Sequence, residues 1–319
     1  MIDLSWFQEN APLFSGELIF NEPLAKYTYY RIGGPAALLL VPKSREDLAW
    51  IQEGLRASRA PLFVLGMGSN ILASDAGFPG VVVRAGRLNL EIEDEGGGVI
   101  RTGGSVSIST LLRRAAIEGW GGLEFLTGIP GSVGGAVVMN AGTHLGESAS
   151  ALLGVDWISL QTDAQDDGAS ARIFSGDELK YQYRKNLYLP GAGVVWSARW
   201  KIQMAAPAEV KRQIDETLVR RKSTQPLDRP SCGSVFKNPK ESGKSAWQVI
   251  DQLGLRGHRI GDAQFAEKHS NFILNLGHAR AADVRGLIDL AKARALAELG
   301  IRLEEEVMYV GSFSLCGNQ

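Results

Sequence analysis

The segment at residues 127–135 (TGIPGSVGG) constrains the fold most, because it places four glycines, a proline and a serine within nine residues. Glycines let backbone approach a ligand closely, and Pro130 stiffens the turn between them. Ser132 is suited to cap a short helix that begins at Val133, which would turn the helix N-terminus toward a phosphate. The alternative is a glycine-rich hairpin in a β domain, but the density of glycine favours a ligand-binding loop.

A second glycine loop, GMGSN at residues 66–70, follows a predicted strand at residues 61–65. A strand that enters a tight Gly-x-Gly turn exposes successive N–H groups that can bind a diphosphate. The loop is not a Rossmann fingerprint, because Ile71 stands where that pattern needs glycine and residues 73–79 continue as loop. Taken alone, this loop is equally compatible with a plain turn.

The rest of the chain predicts an α+β organisation. Residues 20–200 alternate short β-rich runs with glycine turns. Capping and periodicity predict helices at residues 44–57, 109–118, 207–222, 245–253 and 281–299, with Ser44 as an N-cap and with Gly119 and Gly300 as stops. Further strands are predicted at residues 81–84, 194–202, 271–275 and 301–310. The proline-rich segment at residues 223–239 predicts a loop, and residues 312–319 predict a loose tail.

Composition excludes several classes of protein. A formal net charge of −1 argues against nucleic-acid binding, and the longest apolar run, residues 36–41, is too short to cross a bilayer. The acidic first residues do not resemble a signal peptide, and two cysteines cannot build a disulfide framework. The four histidines lack metal-ligand spacing, so no metal is expected. We therefore expect a cytoplasmic protein of about two domains.

The two glycine loops together with MNAG at residues 139–142 and YRIGG at residues 30–34 closely resemble the flavin-binding half of the UDP-N-acetylenolpyruvoylglucosamine reductases. The resemblance implies a vanillyl-alcohol-oxidase-type FAD-binding domain at residues 1–204, with α/β subdomains at about 20–86 and 87–204. It also implies a smaller α+β substrate-binding domain at residues 205–319. The first loop has neither histidine nor cysteine, so FAD is expected to bind non-covalently. The residues implied to bind it are Arg31, Gly66, Gly68, Ser69, Asn70, Gly128, Ile129, Pro130, Gly131, Ser132, Gly134, Gly135, Asn140 and Gly142.

The second half of the chain carries further matches to the same family. They are CGSVFKNP at residues 232–239, EKHSNFILN at residues 267–275, Tyr183-Arg184, and LEEEV at residues 303–307. These motifs resemble the shorter, second type of the reductase. The resemblance implies NADPH as hydride donor and an enolpyruvyl UDP-sugar as substrate, with Arg184, Ser234 and Glu306 as catalytic residues.

The chemistry of that reaction suits these residue types. Hydride addition to an enol ether conjugated to a carboxylate builds negative charge on the neighbouring carbon and on the carboxylate. An arginine such as Arg184 can pair with the carboxylate, and an acid such as Glu306 can help to spread the charge. A hydroxyl such as Ser234 can then protonate the basic carbon. Like-charge repulsion from Glu304 and Glu305 is expected to raise the pKa of Glu306.

The substrate diphosphate requires cations. Lys222 lies twelve residues before Ser234, which fits the substrate lysine of the family, and Arg220, Arg221 and Lys237 are the alternatives. Tyr183 and Asn238 are further expected substrate contacts. The sequence departs from the family pattern at Asn186, where serine is usual, and at Met308, where arginine is frequent. Both departures put local hydrogen bonding in question.

Three alternatives compete with this interpretation. Ser234-Val-Phe-Lys237 fits the S-x-x-K of penicillin-binding proteins, but S-D-N and K-T-G do not occur and Pro239 would interrupt the required helix. An FAD oxidase of the same fold would react with oxygen in place of NADPH-linked turnover. A flavin-binding regulatory protein would tolerate loss of the three catalytic residues. We expect no nucleic acid, no membrane and no obligate protein partner.

Overall fold

The computed structural model describes residues 2–161 and 171–313. The chain divides into two compact units. Unit 1 comprises Met1–Phe20, Leu38–Met67 and Gly80–Arg221, and unit 2 comprises Asn21–Ala37, Gly68–Pro79 and Lys222–Gln319. Each of the described helices is too short or too polar to span a bilayer.

The helices within the described residues are α1 (Ser5–Glu9), α2 (Arg45–Ser58), α3 (Ile108–Glu118), α4 (Val133–Val138), α5 (Ser148–Ala151), α6 (Pro207–Thr224), α7 (Ala246–Gln252) and α8 (Ala281–Leu299). The strands are β1 (Glu17–Pro23), β2 (Pro35–Val41), β3 (Leu62–Leu65), β4 (Ile71–Ala73), β5 (Phe78–Arg84), β6 (Ile92–Gly96), β7 (Val99–Gly103), β8 (Trp120–Gly121), β9 (Gly142–Thr143), β10 (Gly146–Glu147), β11 (Leu152–Ser159), β12 (Arg172–Ser175), β13 (Tyr181–Gln182), β14 (Lys185–Asn186), β15 (Gly193–Lys201), β16 (Gln203–Met204), β17 (Arg259–Ile260), β18 (Ala263–Phe265), β19 (Ile273–Asn275) and β20 (Met308–Val310).

Unit 1 contains two hydrophobic cores. The larger core lies on the antiparallel sheet β12-β11-β15-β7-β6 and includes buried residues of α3, α4 and α6, with Trp200 at its centre. The smaller core joins residues of β2, β5 and α2 to an aromatic group in which Phe14 stacks on Trp50. In the sheet of order β1-β2-β5-β3, the neighbours β3 and β5 run parallel. These sheets position the loops that carry the candidate flavin site.

Unit 2 is built on the antiparallel sheet β17-β18-β19, with α7 and α8 contributing to one core. The apolar stripe of α8 is fully buried and includes Val284, Leu287 and Ile288. A short parallel pair joins β20 to β4, with Met308 opposite Ile71. The other face of β19 carries the side chains of a small separate cluster that includes Phe272 and Leu274.

The predicted helices are confirmed, with boundaries that shift by one or two residues. Ser44 caps α2 by accepting a hydrogen bond from the Asp47 N–H at 3.2 Å, and Gly119 ends α3 with φ +75°. The predicted helix at residues 281–299 matches α8, and Gly300 ends it with φ +67°. These signals act within one helical turn, which is why the sequence alone indicates them.

The predicted strand at residues 301–310 is wrong over most of its length. Only β20 is regular strand, and residues 303–307 pair through isolated backbone contacts with the loop at residues 234–237. Because their partner is a loop, these residues cannot extend a sheet. Residues 314–319 of the predicted tail lie outside the described residues.

The N-terminus of α8 is capped by a side chain distant in sequence. Asp75 accepts hydrogen bonds from the N–H groups of Ala281 at 2.7 Å and Ala282 at 3.0 Å. A carboxylate at this position satisfies two otherwise unpaired donors and opposes the positive end of the helix dipole. The contact explains how the loop after β4 is fixed to α8 without a sheet hydrogen bond.

We expect Asp75→Ala to lower the free energy of unfolding by about 1–2 kcal/mol, the usual contribution of a cap to protein stability. Asp75→Asn should lose less, because its amide oxygen can still accept one of the two hydrogen bonds. Denaturant unfolding measures both. Asp215→Ala is the matched control, since Asp215 contacts only exposed Lys211 on α6 and should cost under about 0.5 kcal/mol. Equal losses for Asp75→Ala and the control would contradict the capping role.

Candidate active site

The two glycine loops meet within unit 1 at Gly66 and Ser132. A Cβ placed on Gly66 would lie 3.4 Å from the Ser132 hydroxyl oxygen, with no other atom of unit 1 nearer. Ser132 caps α4 by accepting a hydrogen bond from the Gly135 N–H at 3.3 Å, as its sequence position predicts. The two loops therefore face a common space, although they lie more than sixty residues apart in the chain.

The first turn of α4 does not offer its N–H groups to a ligand. The Val133 N–H donates to the Val106 carbonyl and the Gly134 N–H donates to the Gly104 carbonyl, both at 2.8 Å. The Gly135 N–H is likewise bonded, to the Ser132 hydroxyl. None of these three N–H groups is therefore available to the phosphate that was expected at this helix N-terminus. The donors that remain in the loop are the N–H groups of Gly128, Gly131 and Ser132, which bond to nothing among the described residues. The φ angles of Gly128 and Gly131, +73° and +135°, require glycine.

Arg184 occupies the second position of the two-residue turn between β13 and β14. Its guanidinium donates hydrogen bonds to the carbonyl oxygens of Gly142 at 2.8 Å and Asn140 at 3.4 Å. The Asn140 amide is fixed in turn, because it donates to the Gln182 carbonyl and accepts from the Ala149 N–H. The MNAG segment thus holds Arg184 in place from within unit 1.

Backbone strain collects at candidate site residues. Among the described residues, five that are not glycine have positive φ, and three of them are Arg31, Asn140 and Arg184. Such conformations cost on the order of 1 kcal/mol each and persist where the surrounding structure imposes them. Their concentration here supports a functional role for these turns.

Two of the expected cofactor glycines have a role inside the protein. A Cβ on Gly142 would lie 2.3 Å from the Gly146 carbonyl oxygen, across the hairpin of β9 and β10. A Cβ on Gly68, whose φ is +67°, would lie 2.1 Å from the Tyr27 carbonyl oxygen. Packing alone therefore explains both glycines, whereas a Cβ on Gly66 or Gly135 would make only an ordinary contact with the Ser132 hydroxyl, at 3.4 Å and 3.6 Å.

Arg221 forms part of the same region, although the sequence indicated it only as an alternative to Lys222 for binding the substrate diphosphate. Its side chain lies over Gly128, so that a Cβ there would be 2.6 Å from the arginine Cδ. Burial, together with the nearby positive charge of Arg184, lowers the pKa of Arg221. Its Nε is buried without a hydrogen-bond partner among the described residues. Two neighbouring guanidinium groups in this arrangement favour an anion between or beside them.

In unit 2, a row of hydrogen bonds connects Glu306 to Val235, the residue after Ser234, and from there to Asn271. The Glu306 N–H donates to the Val235 carbonyl at 2.8 Å, and the Val235 N–H donates to the Asn271 carbonyl at 2.8 Å. The buried Asn271 side chain accepts a hydrogen bond from the Phe236 N–H and donates one to the Phe236 carbonyl. It thus satisfies the two backbone groups that a neighbouring strand would satisfy in a sheet. The EKHSNFILN motif contains Asn271 but gave it no role, because its role depends on a contact between distant segments.

The carboxylates beside Glu306 have their own partners. Glu304 pairs with Lys237 at 3.6 Å and Glu305 pairs with Lys292 at 2.8 Å. Each of these two negative charges therefore has an ammonium group beside it, and the predicted effect of both carboxylates on Glu306 stays a prediction. The pairing of Lys237, and the extended backbone around Ser234, also exclude the S-x-x-K helix of penicillin-binding proteins.

Cys232 lies buried behind the Ser234 loop. Its sulfur lies against the hydroxyl of the fully buried Tyr30. Burial raises the pKa of the Cys232 thiol to about 12, the Tyr30 hydroxyl partly opposes this, and the Glu306 carboxyl adds to it. The Cys232 thiol is therefore uncharged and packs beneath the loop.

The expected substrate residues occupy different surroundings. Exposed Lys222 lines a cavity of about 620 Å³ in unit 2, together with Gln225, Arg229, Gln264 and Lys268, and Ser234 is not among the lining residues. Asn238 accepts a hydrogen bond from the Ala246 N–H at 3.0 Å and so joins its loop to α7. Asn186 donates to the Val138 carbonyl at 2.8 Å, so this departure from the family pattern keeps its local hydrogen bonding.

The candidate residues are thus divided between the units. Unit 1 carries Tyr183, Arg184 and the expected flavin residues Gly66, Gly128, Ile129, Pro130, Gly131, Ser132, Gly134, Gly135, Asn140 and Gly142. Unit 2 carries Arg31, Gly68, Ser69, Asn70, Lys222, Ser234, Asn238 and Glu306. No group of three or more metal-ligating side chains occurs among residues 2–161 and 171–313.

Comparison with known proteins identifies relatives for both halves of the chain. Residues 36–161 match a family model described as FAD binding domain, and residues 225–310 match UDP-N-acetylenolpyruvoylglucosamine reductase, C-terminal domain. The UDP-N-acetylenolpyruvoylglucosamine reductase of Syntrophobacter fumaroxidans is 41% identical over 91% of this chain and 83% of its own. That of Caulobacter vibrioides is 36% identical over 97% of this chain and 99% of its own.

A solved structure agrees with these matches. The crystal structure of UDP-N-acetylenolpyruvylglucosamine reductase from Thermus caldophilus aligns with a TM-score of 0.75 and 38% identity, over 92% of this chain and 98% of the other. The similarity spans both units, and the predicted α+β class is confirmed. The flavin-binding half predicted from the glycine loops agrees with the FAD binding domain match.

We expect Cys232 to resist alkylation in the folded protein. In a Cys316→Ser variant, which leaves Cys232 as the single cysteine, a pKa of about 12 gives a thiolate fraction roughly 10³-fold below that of an ordinary thiol between pH 7 and 9. Iodoacetamide labelling followed by mass spectrometry measures the rate, and denatured protein supplies the reference. Native labelling as fast as that of the denatured chain would contradict the buried, neutral thiol.

Proposed function

Because the chain belongs to the UDP-N-acetylenolpyruvoylglucosamine reductase family, we propose that it is an FAD-dependent reductase that uses NADPH to convert UDP-N-acetylenolpyruvoylglucosamine to UDP-N-acetylmuramate in peptidoglycan precursor synthesis. The observation that supports this most directly is the hydrogen-bonded row from Asn271 through Val235 to Glu306, which joins the proposed acid to the residue that follows the proposed proton donor Ser234. The two family matches, one to each half of the chain, support the same conclusion.

The residues of unit 1 fit a bound FAD diphosphate. A Cβ on Gly66 or Gly135 would make only an ordinary contact with the Ser132 hydroxyl, and the N–H groups of Gly128, Gly131 and Ser132 have no protein acceptor among the described residues. Backbone N–H groups in such turns form a concave site for anions. We therefore assign these two loops to the cofactor, where the Ser132 hydroxyl lies on the side of Gly66 that a Cβ would face. The chain offers no cysteine or histidine in either loop, so the attachment is non-covalent.

The proposed reaction divides its tasks among three side chains. Bound FAD supplies a hydride that originates from NADPH. Arg184, held by the carbonyls of Asn140 and Gly142, pairs with the substrate carboxylate and stabilises the charge that develops there. Ser234 donates a proton to the carbon that becomes basic, and Glu306 hydrogen-bonds the developing charge. Each group thus acts on a different part of the enolpyruvyl unit.

The substrate diphosphate has two candidate cationic regions. Lys222 lines the cavity of unit 2, where Lys268 and Arg229 add positive charge. Arg221 lies beside Gly128 in unit 1, with its Nε lacking a protein partner among the described residues. Arg220 is close to His144 at 3.1 Å, and Lys237 pairs with Glu304, so these two are weaker candidates. We assign the diphosphate to Lys222 and propose that Tyr183 and Asn238 add substrate contacts. A cytoplasmic location and the absence of an obligate protein partner stay predictions.

The cofactor assignment predicts that Gly66→Ala weakens FAD binding at least about tenfold while the apoprotein stays folded. The added methyl would make only an ordinary contact with the Ser132 hydroxyl, at 3.4 Å, so a loss of flavin would report on the ligand and not on packing. Flavin absorbance per protein and apoprotein melting measure the two effects. Gly134 is a poorer choice, because a Cβ there would lie 3.1 Å from the Gly104 carbonyl oxygen.

Gly154→Ala serves as the control for this variant. A Cβ on Gly154 of β11 would lie 3.5 Å from the Phe174 carbonyl oxygen, a comparable contact away from the glycine loops in the chain. It should retain full flavin content. If Gly66→Ala binds FAD as tightly as the control, the diphosphate does not lie against this loop.

The catalytic assignment predicts a selective defect in Ser234→Ala. The purified wild-type protein should be yellow, bleach anaerobically with NADPH and regain colour on addition of the enolpyruvyl UDP-sugar. Flavin reduction requires no proton from Ser234, so Ser234→Ala should bleach at the wild-type rate. Reoxidation by substrate should slow by about 10²–10⁴-fold, the usual contribution of a general acid. Rapid-mixing absorbance separates the two steps.

Ser242→Ala is the matched control, because Ser242 lies in a nearby turn and hydrogen-bonds the Pro239 carbonyl. It should leave both steps unchanged. Slowing of both half-reactions in Ser234→Ala would indicate a distorted loop, and unchanged reoxidation would remove Ser234 from the mechanism. Reoxidation of the reduced wild-type protein by oxygen alone, with no response to the sugar nucleotide, would indicate an oxidase.

A further inference from the structure

The side chain of Asn70 is directed at the residue proposed as the acid. Its amide Nδ2 donates a hydrogen bond to the Glu306 carbonyl at 3.0 Å. Its own carbonyl accepts from the Met308 N–H at 3.0 Å, immediately before the parallel pairing of β4 with β20 begins. A single asparagine therefore holds the chain on both sides of the buried Val307.

This contact completes the hydrogen bonding of the Glu306 peptide groups. On one side the Glu306 N–H is bonded to Val235, and on the other the Glu306 carbonyl is bonded to Asn70. Residues 303–307 belong to no sheet, so no regular ladder fixes them. The position of Glu306 relative to Ser234 consequently depends on these two bonds and on the bond from the Lys237 N–H to the Glu304 carbonyl, which completes the bridge between Phe236 and Glu305.

We propose that Asn70 is a positioning residue for Glu306, which fixes the backbone of the acid relative to the Ser234 loop. The proposal rests on the proposed function, in which Glu306 and Ser234 act after hydride transfer. It gives Asn70 a role in the second half-reaction, whereas the resemblance of the GMGSN loop to flavin-binding sequences implied only contact with the cofactor. Serine or glycine at this position could form the loop but could not bond Glu306 through a side-chain amide.

Asn70→Asp tests the proposal with the smallest change of shape. An ionised carboxylate has no N–H to donate and would place an oxygen opposite the Glu306 carbonyl oxygen, which is repulsive. Asn70→Ala removes the donor without adding charge, and it provides a second route if the aspartate variant does not fold. Asn10→Asp is the matched control, because the Asn10 amide likewise donates to a backbone carbonyl, that of Trp6, at 2.8 Å.

The FAD-loaded variants would be compared with the wild type by rapid mixing. We expect reduction by NADPH to change less than about twofold, reoxidation by the enolpyruvyl UDP-sugar to slow at least about tenfold, and KM for that substrate to stay constant. Hydrogen exchange should rise in peptides that cover residues 303–310 in either Asn70 variant. The Asn10→Asp control should change neither the kinetics nor that exchange.

Glu306→Gln separates failure of this inference from failure of the proposed function. If Glu306→Gln slows reoxidation but both Asn70 variants reoxidise normally, the positioning role is overturned and the proposed function stands. If Glu306→Gln reoxidises normally, the proposed role of Glu306 is wrong, and the inference falls with it. Loss of flavin from both Asn70 variants would assign Asn70 to the cofactor and overturn the proposal. Combined with Glu306→Gln, Asn70→Ala should add little further slowing, because both changes act on one group.

Discussion

The hydrogen bond from the Glu306 N–H to the Val235 carbonyl is the contact on which the proposed chemistry of unit 2 depends. It joins two irregular segments that are more than seventy residues apart, and it does so without a sheet. Irregular backbone of this kind is stable only where each polar group finds a partner, and here Asn271 and Asn70 supply the partners with their side chains. The side chains of these two asparagines thus form the backbone hydrogen bonds that a neighbouring strand would form in a sheet.

Glycine serves two distinct purposes in this chain, and composition alone does not separate them. At Gly68 and Gly142 a side chain would collide with backbone of the protein itself, at 2.1 Å and 2.3 Å. At Gly66 a side chain would meet only a hydroxyl at ordinary contact distance. The first kind of glycine is required for folding whatever the ligand, whereas the second kind has no packing reason in its own unit. This distinction decides which substitutions report on ligand binding.

The sequence predicted those structural features that depend only on residues close together in the chain. The cap at Ser44, the stops at Gly119 and Gly300 and the full length of α8 follow from signals within one turn. Residues 303–307 lie inside the run predicted as a strand, but their partners come from a loop that no local signal identifies. The contacts of Arg221 with Gly128 and of Asn70 with Glu306 likewise join segments remote in sequence. The resemblance to a known family named the candidate residues, and the structure supplied the reasons for their positions.

The turn that carries Arg184 restricts insertions and deletions in this part of the chain. Two residues join β13 to β14, and Arg184 reaches the carbonyls of Gly142 and Asn140 only from its left-handed position, with φ +57°. An inserted or deleted residue would change the turn type and rotate the guanidinium away from both oxygens, even with the arginine retained. The length of this turn is therefore as strict a constraint on divergence as the identity of Arg184. Insertions should be tolerated instead in the open glycine turn at residues 96–98, where two of the three glycines have nothing within 4 Å of a Cβ.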